Sequence, residues 1–413
     1  MTARARIPHL LPFVVALLAT GCHHAARRAE APITILVSGP VELDLVPRAA
    51  ALVGARREQG ATFWLAAGPL AADTGAGLVT EGRVLLRALE AAGADAVVLR
   101  PELLDPGVGV ARRTVSGSGL HFLSGNLVDS LGEPLGHPTL VRRLGGARVG
   151  ITSVWSDSTD RRFRQHGVEF LPADRAAGRT LGLMRMQSDV AGIILPAAGE
   201  SVEGFDFVIG PAGSSTIPAD PGRLARLDLY LRDGRLESHR AGEELLSDWP
   251  DEPAVRRLVD SLRAGAESAL AASVVGSTIE ARPEALTRMF IAGRLGGRDL
   301  DGFLTDRPLF RAALGPGDID IRAVTAALEE PGRLCVFELT GWQIRELTED
   351  RGVKLEWRVQ LRQMRMAMTR RYRLAATAGF LDRHPLALTN GYEVDDEPAW
   401  RIAARLLAES GRQ

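Results

Sequence analysis

The chain has 413 residues, 46% of them hydrophobic, with 50 basic and 51 acidic side chains and a formal net charge of −1. That length exceeds one ordinary domain and points to two, each with apolar residues enough for its own core. Losing Arg4 and Arg6 with a leader takes the charge to −3, so no basic footprint for nucleic acid exists.

Residues 1–22 read as a targeting segment. "MTARAR" is a basic start, "LLPFVVALLA" an apolar stretch too short for a stable span, and "ATGC" ends it at Cys22. The ending resembles the lipobox of bacterial lipoproteins, with Ala19 where that motif more often has leucine. The resemblance implies lipidation of Cys22, a tether over 23–32, and a chain held at a bacterial membrane of the cell envelope, facing periplasm or exterior. An ordinary secretory signal is the other reading. No later run is long enough to span a bilayer. Cys335, inside "RLCVFEL", is left without a partner and is expected to be a buried structural thiol.

From Ile33 to about Gly210, short apolar runs alternate with helical patterns, as in α/β architecture. The predicted strands are "ITILV", "TFWLA", "AVVL", "HFLSGNL", "ARVGITSVW", "AGIIL" and "FDFVIG". Helical spacing marks 46–58 and 81–92. "RLARLDLYLRDGRLESHRAG" alternates on either side of Asp233-Gly234, a hairpin that closes a first domain over 33–246. "SDWPDEP" then begins a boundary segment, 247–272, with one long helix over 254–270. The second domain, 273–413, shows a helix near 283–294, a glycine-rich loop at 314–317 and the strand "RLCVFEL". The helix "TGWQIRELTED" and the strand "YRLAATAGF" complete it.

Several of these segments together resemble the 5'-nucleotidase family of secreted bacterial metallophosphoesterases. They are "GADAVVLRPELLDPG", "FLSGNLVDSLGEPLGHPTLVRRLGGARVGITSVW", "GRLARLDLYLRDGRLESHR", "GDIDIRAVTAALEEPGRLCVFELTGWQIRELTE" and "YRLAATAGFL", in the family's order. The resemblance implies an αββα metallophosphoesterase-like sandwich followed by a smaller α/β C-terminal domain. It also implies two metal ions at the strand ends, which activate water and clamp the phosphoryl oxygens.

The ligand positions are where this chain departs from the family. The Asp-x-His after the first strand falls on Pro40 and Glu42, and the Gly-Asp after the second on Gly68 and Pro69. The Asn-His pair falls on Pro101 and Glu102, the lone His on Ala197, and the final His-x-His on Ala212 and Ser214. Proline offers no side-chain donor and stiffens its loop. The five histidines beyond the leader and tether (His121, His137, His166, His239, His384) show no metal-ligand spacing. Glu42 and Glu102, with Asp44, Asp73 and Asp105 nearby, leave one other reading, a carboxylate site for Mg²⁺ or Ca²⁺. No nucleophile elbow, Walker loop or dinucleotide fingerprint is present.

In the second domain the resemblance implies a nucleoside site of two stacking phenylalanines with arginines and an asparagine. "FLTDRPLFR" keeps Arg311, puts Asp306 at the asparagine, and replaces three glycines by Arg307, Pro308 and Leu309. Phe380 matches one phenylalanine, Leu334 stands at the other, and Asn390 lies at an aspartate. Half a stacking clamp forfeits about 1–3 kcal/mol. The expectation is a catalytically inactive, lipid-anchored binding or scaffold protein, with no cofactor and an unknown protein or small-molecule partner. The alternatives are a phosphoester hydrolase with carboxylate ligands, and a nucleoside or phosphate binding module.

Overall fold

The computed structural model describes residues 32–68, 75–80, 82–100, 103–104, 108–129, 131–156, 168–196, 202–210, 213–277, 280–297, 300–330, 332–350, 353–357, 366–384 and 392–410. Cys22, Glu102 and Asn390 lie outside them.

The first domain holds two sheets face to face. One has the order β12-β11-β1-β2-β3-β4, built from β1 (Ile33–Ser38), β2 (Thr62–Ala66), β3 (Ala96–Val98), β4 (His121–Leu123), β11 (Arg223–Arg232) and β12 (Arg235–Leu245). β1 to β4 run parallel and β11 joins β1 antiparallel. Every residue of β1, β2 and β3 is buried, which is why these strands read as unbroken apolar runs: both faces of a parallel sheet are covered. The second sheet, β10-β9-β7-β6, holds β6 (Leu140–Leu144), β7 (Ala147–Ser153), β9 (Val190–Ile194) and β10 (Phe207–Ile209). A ribbon pairs β5 (Leu127–Asp129) with β8 (Val168–Phe170).

Helices cover the outer faces. They are α1 (Val46–Gln59), α3 (Arg83–Ala91) and α4 (Val108–Gly117), with α5 (Ala173–Gln187) on β7 and β9; α2 (Gly75–Thr80) packs on α3 and on the helix at Pro253–Leu270. The segment "HFLSGNL" is not one strand. It splits at Ser124 into β4 and β5, which belong to different sheets, because Gly125 approaches the β7 end too closely for a continuous ladder. The β11–β12 hairpin turns on Asp233 (φ 52°) and Gly234 (φ 76°), the left-handed pair that a two-residue turn demands.

A long helix, α6 (Pro253–Leu270), starts on a Glu252 side chain that accepts from the Val255 amide at 2.6 Å, with Pro253 in its first turn. Its Val255 and Val259 belong to the first domain's core, and it also touches the second-domain helix at Ile321–Ala327.

The second domain is a five-stranded sheet, β17-β14-β18-β16-β19, with helices on both faces. Its strands are β14 (Gly302–Thr305), β16 (Arg333–Thr340), β17 (Lys354–Trp357), β18 (Arg371–Thr377) and β19 (Tyr392–Pro398). A separate pair joins β13 (Ser273–Ser277) to β15 (Gly317–Asp320). One face packs under α7 (Pro283–Gly297), α8 (Ile321–Ala327) and α11 (Ala399–Ser410), the other under α9 (Gly341–Asp350) and α10 (Ala378–Arg383). Alternation along β16 sends Leu334 and Val336 to the first face and Cys335, Phe337 and Leu339 to the second. Cys335 is buried. The strand predicted through "AATAGF" stops at Thr377, whose hydroxyl accepts from the Phe380 amide and starts α10.

Candidate functional site

In the first domain, the loops that would carry chemistry leave β1, β2 and β3 at one end of the sheet. Backbone fills the space between the first two. A Cβ on Gly68 would overlap the Gly39–Pro40 peptide, and one on Gly39 would overlap the Pro218 carbonyl. The Ala67 and Gly68 amides both donate to the Ser38 carbonyl. Glu42 is exposed and makes no side-chain cap. Asp44 turns away to α6, where Arg263 binds its carboxylate and Arg256 donates to its carbonyl at 3.1 Å. Ser214 is held by its backbone, donating to Val208.

At the end of β3, Arg100 occupies the position sequence reasoning passed over. Its guanidinium donates to the Ala67 carbonyl at 3.0 Å and lies over the Trp155 ring, 5.2 Å from the centroid. The Trp155 indole in turn donates to the Leu99 carbonyl at 2.9 Å. A fixed cation between strand ends repels a dication placed beside it. Among the described residues, no three His, Cys, Asp or Glu side chains converge. The described donors at these strand ends therefore do not by themselves make up a two-metal set. Pro69, Asp73, Glu102, Asp105, Ala197 and Ala212 lie outside the described residues.

In the second domain, Asp306 follows β14 and meets α10. Arg383 donates to both its oxygens, at 2.8 and 2.9 Å, and His384 Nε2 lies 3.0 Å from Oδ2. Arg383 also donates to Glu330 at 2.7 Å, and Glu330 accepts from the Gly379 amide. Burial alone would raise the Asp306 carboxyl, but the hydrogen bonds from Arg383 and His384 outweigh it and hold the group at about 2. The same bond to Asp306 raises Arg383, against the opposing effect of burial. The polar capacity of this cluster is spent internally except at His384 Nδ1, which is buried without a hydrogen-bond partner.

Phe380 is 1% exposed, and its ring lies against His384 with centroids 4.5 Å apart. Leu334 faces the opposite side of the sheet. The expected slot between these two positions does not exist, because successive residues of β16 point to opposite faces and Leu334 took the α7 side. Arg311 is exposed and ties its Nε to the Ala326 carbonyl at 2.9 Å. Of the four nucleoside candidates, then, Asp306 and Phe380 meet only through His384. Sequence reasoning missed Arg383 and Glu330, and named His384 only as one of five histidines without metal-ligand spacing. The readable signal was "LDRH" directly after Phe380, which puts a cation and an imidazole one turn along α10.

The second domain also carries a cleft of about 840 Å³ between α7, the β14 loop and the edge strand β17. Glu284, Arg288, Ile291 and Leu295 line it from one stripe of α7 at helical spacing; Lys354 and Trp357 line it from β17.

Comparison with known proteins settles the fold. No family model and no curated protein matches the chain in sequence. Solved structures do. A 5'-nucleotidase precursor from Thermus thermophilus is 14% identical with a TM-score of 0.52, over 92% of this chain and 97% of that one. A putative 5'-nucleotidase from Staphylococcus aureus is 11% identical with a TM-score of 0.60, over 92% and 97%. This chain has the two-domain 5'-nucleotidase fold. The NAD nucleotidase of Haemophilus influenzae extends the likeness, at 12% identity and a TM-score of 0.57 over 92% and 96%. At such identities the likeness covers architecture, and the site must be judged on its own residues.

Proposed function

We propose that this protein is a non-catalytic member of the 5'-nucleotidase-like fold group, held at the bacterial envelope by a lipid on Cys22 and acting as a binding or scaffold protein. The observation that carries the reading is Arg100. A guanidinium pinned between the Ala67 carbonyl and the Trp155 ring stands at strand ends where a two-metal hydrolase needs anionic and imidazole donors. Pro40 and exposed Glu42 on the neighbouring loop support it. Among the described residues no helix is long and apolar enough to cross a membrane.

A nucleoside-binding role is disfavoured by the internal commitment of Asp306, Arg383 and His384. The test is elemental analysis of the chain from Ala31 onward after incubation with Zn²⁺, Mn²⁺, Mg²⁺ or Ca²⁺, with a generic phosphoester assayed in parallel. Metal-free protein without turnover is expected. Near-stoichiometric metal, with turnover abolished by Glu42→Gln or Glu102→Gln, would make this a hydrolase with carboxylate ligands and end the proposal. Radiolabelled acyl incorporation lost in Cys22→Ser tests the anchor.

A further inference from the structure

Lys354 is the only lysine among 50 basic side chains. It sits on β17, the edge strand of the second sheet, and lines the 840 Å³ cleft. Arg288 lines the same cleft from the facing helix. Among the described residues, neither cation has a carboxylate partner. Of the other charged groups of the cleft, Asp306 is bound by Arg383 and His384, Arg307 faces Glu329 at 3.8 Å, and Glu356 has a partner within the protein, while Glu284, one turn before Arg288 on α7, has no partner among the described residues. Between the cations the walls are apolar, formed by Ile291, Leu295, Pro308 and the Trp357 indole. The Thr287 hydroxyl, in the same wall, is enclosed and has no hydrogen-bond partner.

A cavity of this size, largely apolar with a few unspent polar groups, is how small-molecule sites are built. Arg288 and Lys354 against the one unpartnered carboxylate, Glu284, leave the cleft net positive, which fixes the sign of the ligand, and the walls fix its body. We propose that the cleft between α7 and β17 binds an organic anion with an apolar body, a carboxylate or phosphate head on an acyl or aromatic frame, with Arg288 and Lys354 at the head. Nucleotides are poor candidates, since beyond the charged heads of Arg288, Lys354 and Glu284 the walls are largely apolar and the unpartnered Thr287 hydroxyl is enclosed, leaving a base little to pair with. The inference rests on the binding-protein reading above and deepens it.

The lone lysine supplies the assay. Reductive methylation of the mature chain has one side-chain amine to modify, so mass spectrometry reads the cleft directly. Decanoate and decyl phosphate, below their aggregation concentrations, are expected to slow labelling of Lys354 by about tenfold at saturation. Acetate, decanol and AMP are expected to leave it unchanged. Lys354→Gln and Arg288→Gln, both at exposed positions, should each weaken decanoate binding by about tenfold in calorimetric titration. Ala292→Trp, which fills the cleft from an exposed position on α7, should abolish binding without shifting the melting temperature.

Protection by either amphiphile that vanishes in Ala292→Trp sustains the proposal, and the ratio of the two says which head is preferred. Equal protection by decanol would show an apolar slot with no role for the cations and overturn it. Protection by AMP alone would overturn it in favour of a nucleotide site. Phosphoester turnover keeps the two readings apart: turnover with decanoate binding would end the non-catalytic reading and leave this inference standing.

Discussion

Asp306→Asn removes the charge that holds Arg383 and His384 while keeping the side chain's shape. In the native protein the carboxylate takes two bonds from Arg383, at 2.8 and 2.9 Å, and one from His384 at 3.0 Å. Its side chain is 14% exposed and that of Arg383 28%, so solvent screens the pair only in part. Hydrogen bonds to charged groups contribute about 1.5–3 kcal/mol each, and Arg383 keeps its Glu330 partner in the variant. A net loss of about 3 kcal/mol follows. For a domain of about 140 residues that lowers the melting temperature by about 10 °C.

Differential scanning calorimetry reads the shift. Arg383→Met should cost a similar amount, and the double variant less than the sum of the two, because each single change already breaks the shared bonds. The pH dependence has a fixed sign. A carboxyl depressed from 3.8 to about 2 adds stability that is fully present above 3.8 and is lost as pH falls through about 2. The variant lacks that component. A shift under about 2 °C, or an unchanged acid profile, would refute the argument that this network holds the β14 loop to α10.

The buried pair Arg294–Asp395 gives a sharper case, with side chains 6% and 1% exposed. Arg294→Met should cost about 3–5 kcal/mol in urea unfolding, and adding Asp395→Leu should recover much of it, since the stranded charge is what costs. His121 is held below its ordinary value by burial, then by Arg142 and by His137, whose ring lies 5.4 Å away. The unfolded chain therefore takes the proton first, and stability falls as pH drops below about 6.5; His121→Gln should flatten that slope. Val259→Ala, at a fully buried position on α6, should cost about 2 kcal/mol. Hydrogen exchange should show the loss in β1 to β4 and leave β16 and β18 protected.

Much of the fold was legible because its strands advertise themselves. "ITILV" and "TFWLA" are buried on both faces and read as solid apolar runs, while the β11–β12 hairpin declares its turn in two residues. What failed was continuity. "HFLSGNL" and "AATAGF" have strand composition throughout, and only a close approach at Gly125 and a cap at Thr377 break them. The absent donors at Pro40 and Pro69 were readable by position. Arg100 was not, because an arginine after a strand looks like surface charge until Trp155 arrives from a distant strand end. Likewise the separation of Leu334 from Phe380 follows from the parity of one strand, which a motif match ignores.

Arg100 also bears on any attempt at repair. The strand-end loops give Val41, Ala67, Leu99 and Trp155 to the core, while Glu42 beside them is exposed, so substitutions there must spare the buried positions. On the non-catalytic reading proposed above, histidines and aspartates grafted onto positions 40, 42 and 69 would still meet a cation at these strand ends. The Arg100 guanidinium is held by a carbonyl and an indole face, and moving it aside costs both contacts. Building a metal site on this framework then starts by deleting one side chain, before any is added.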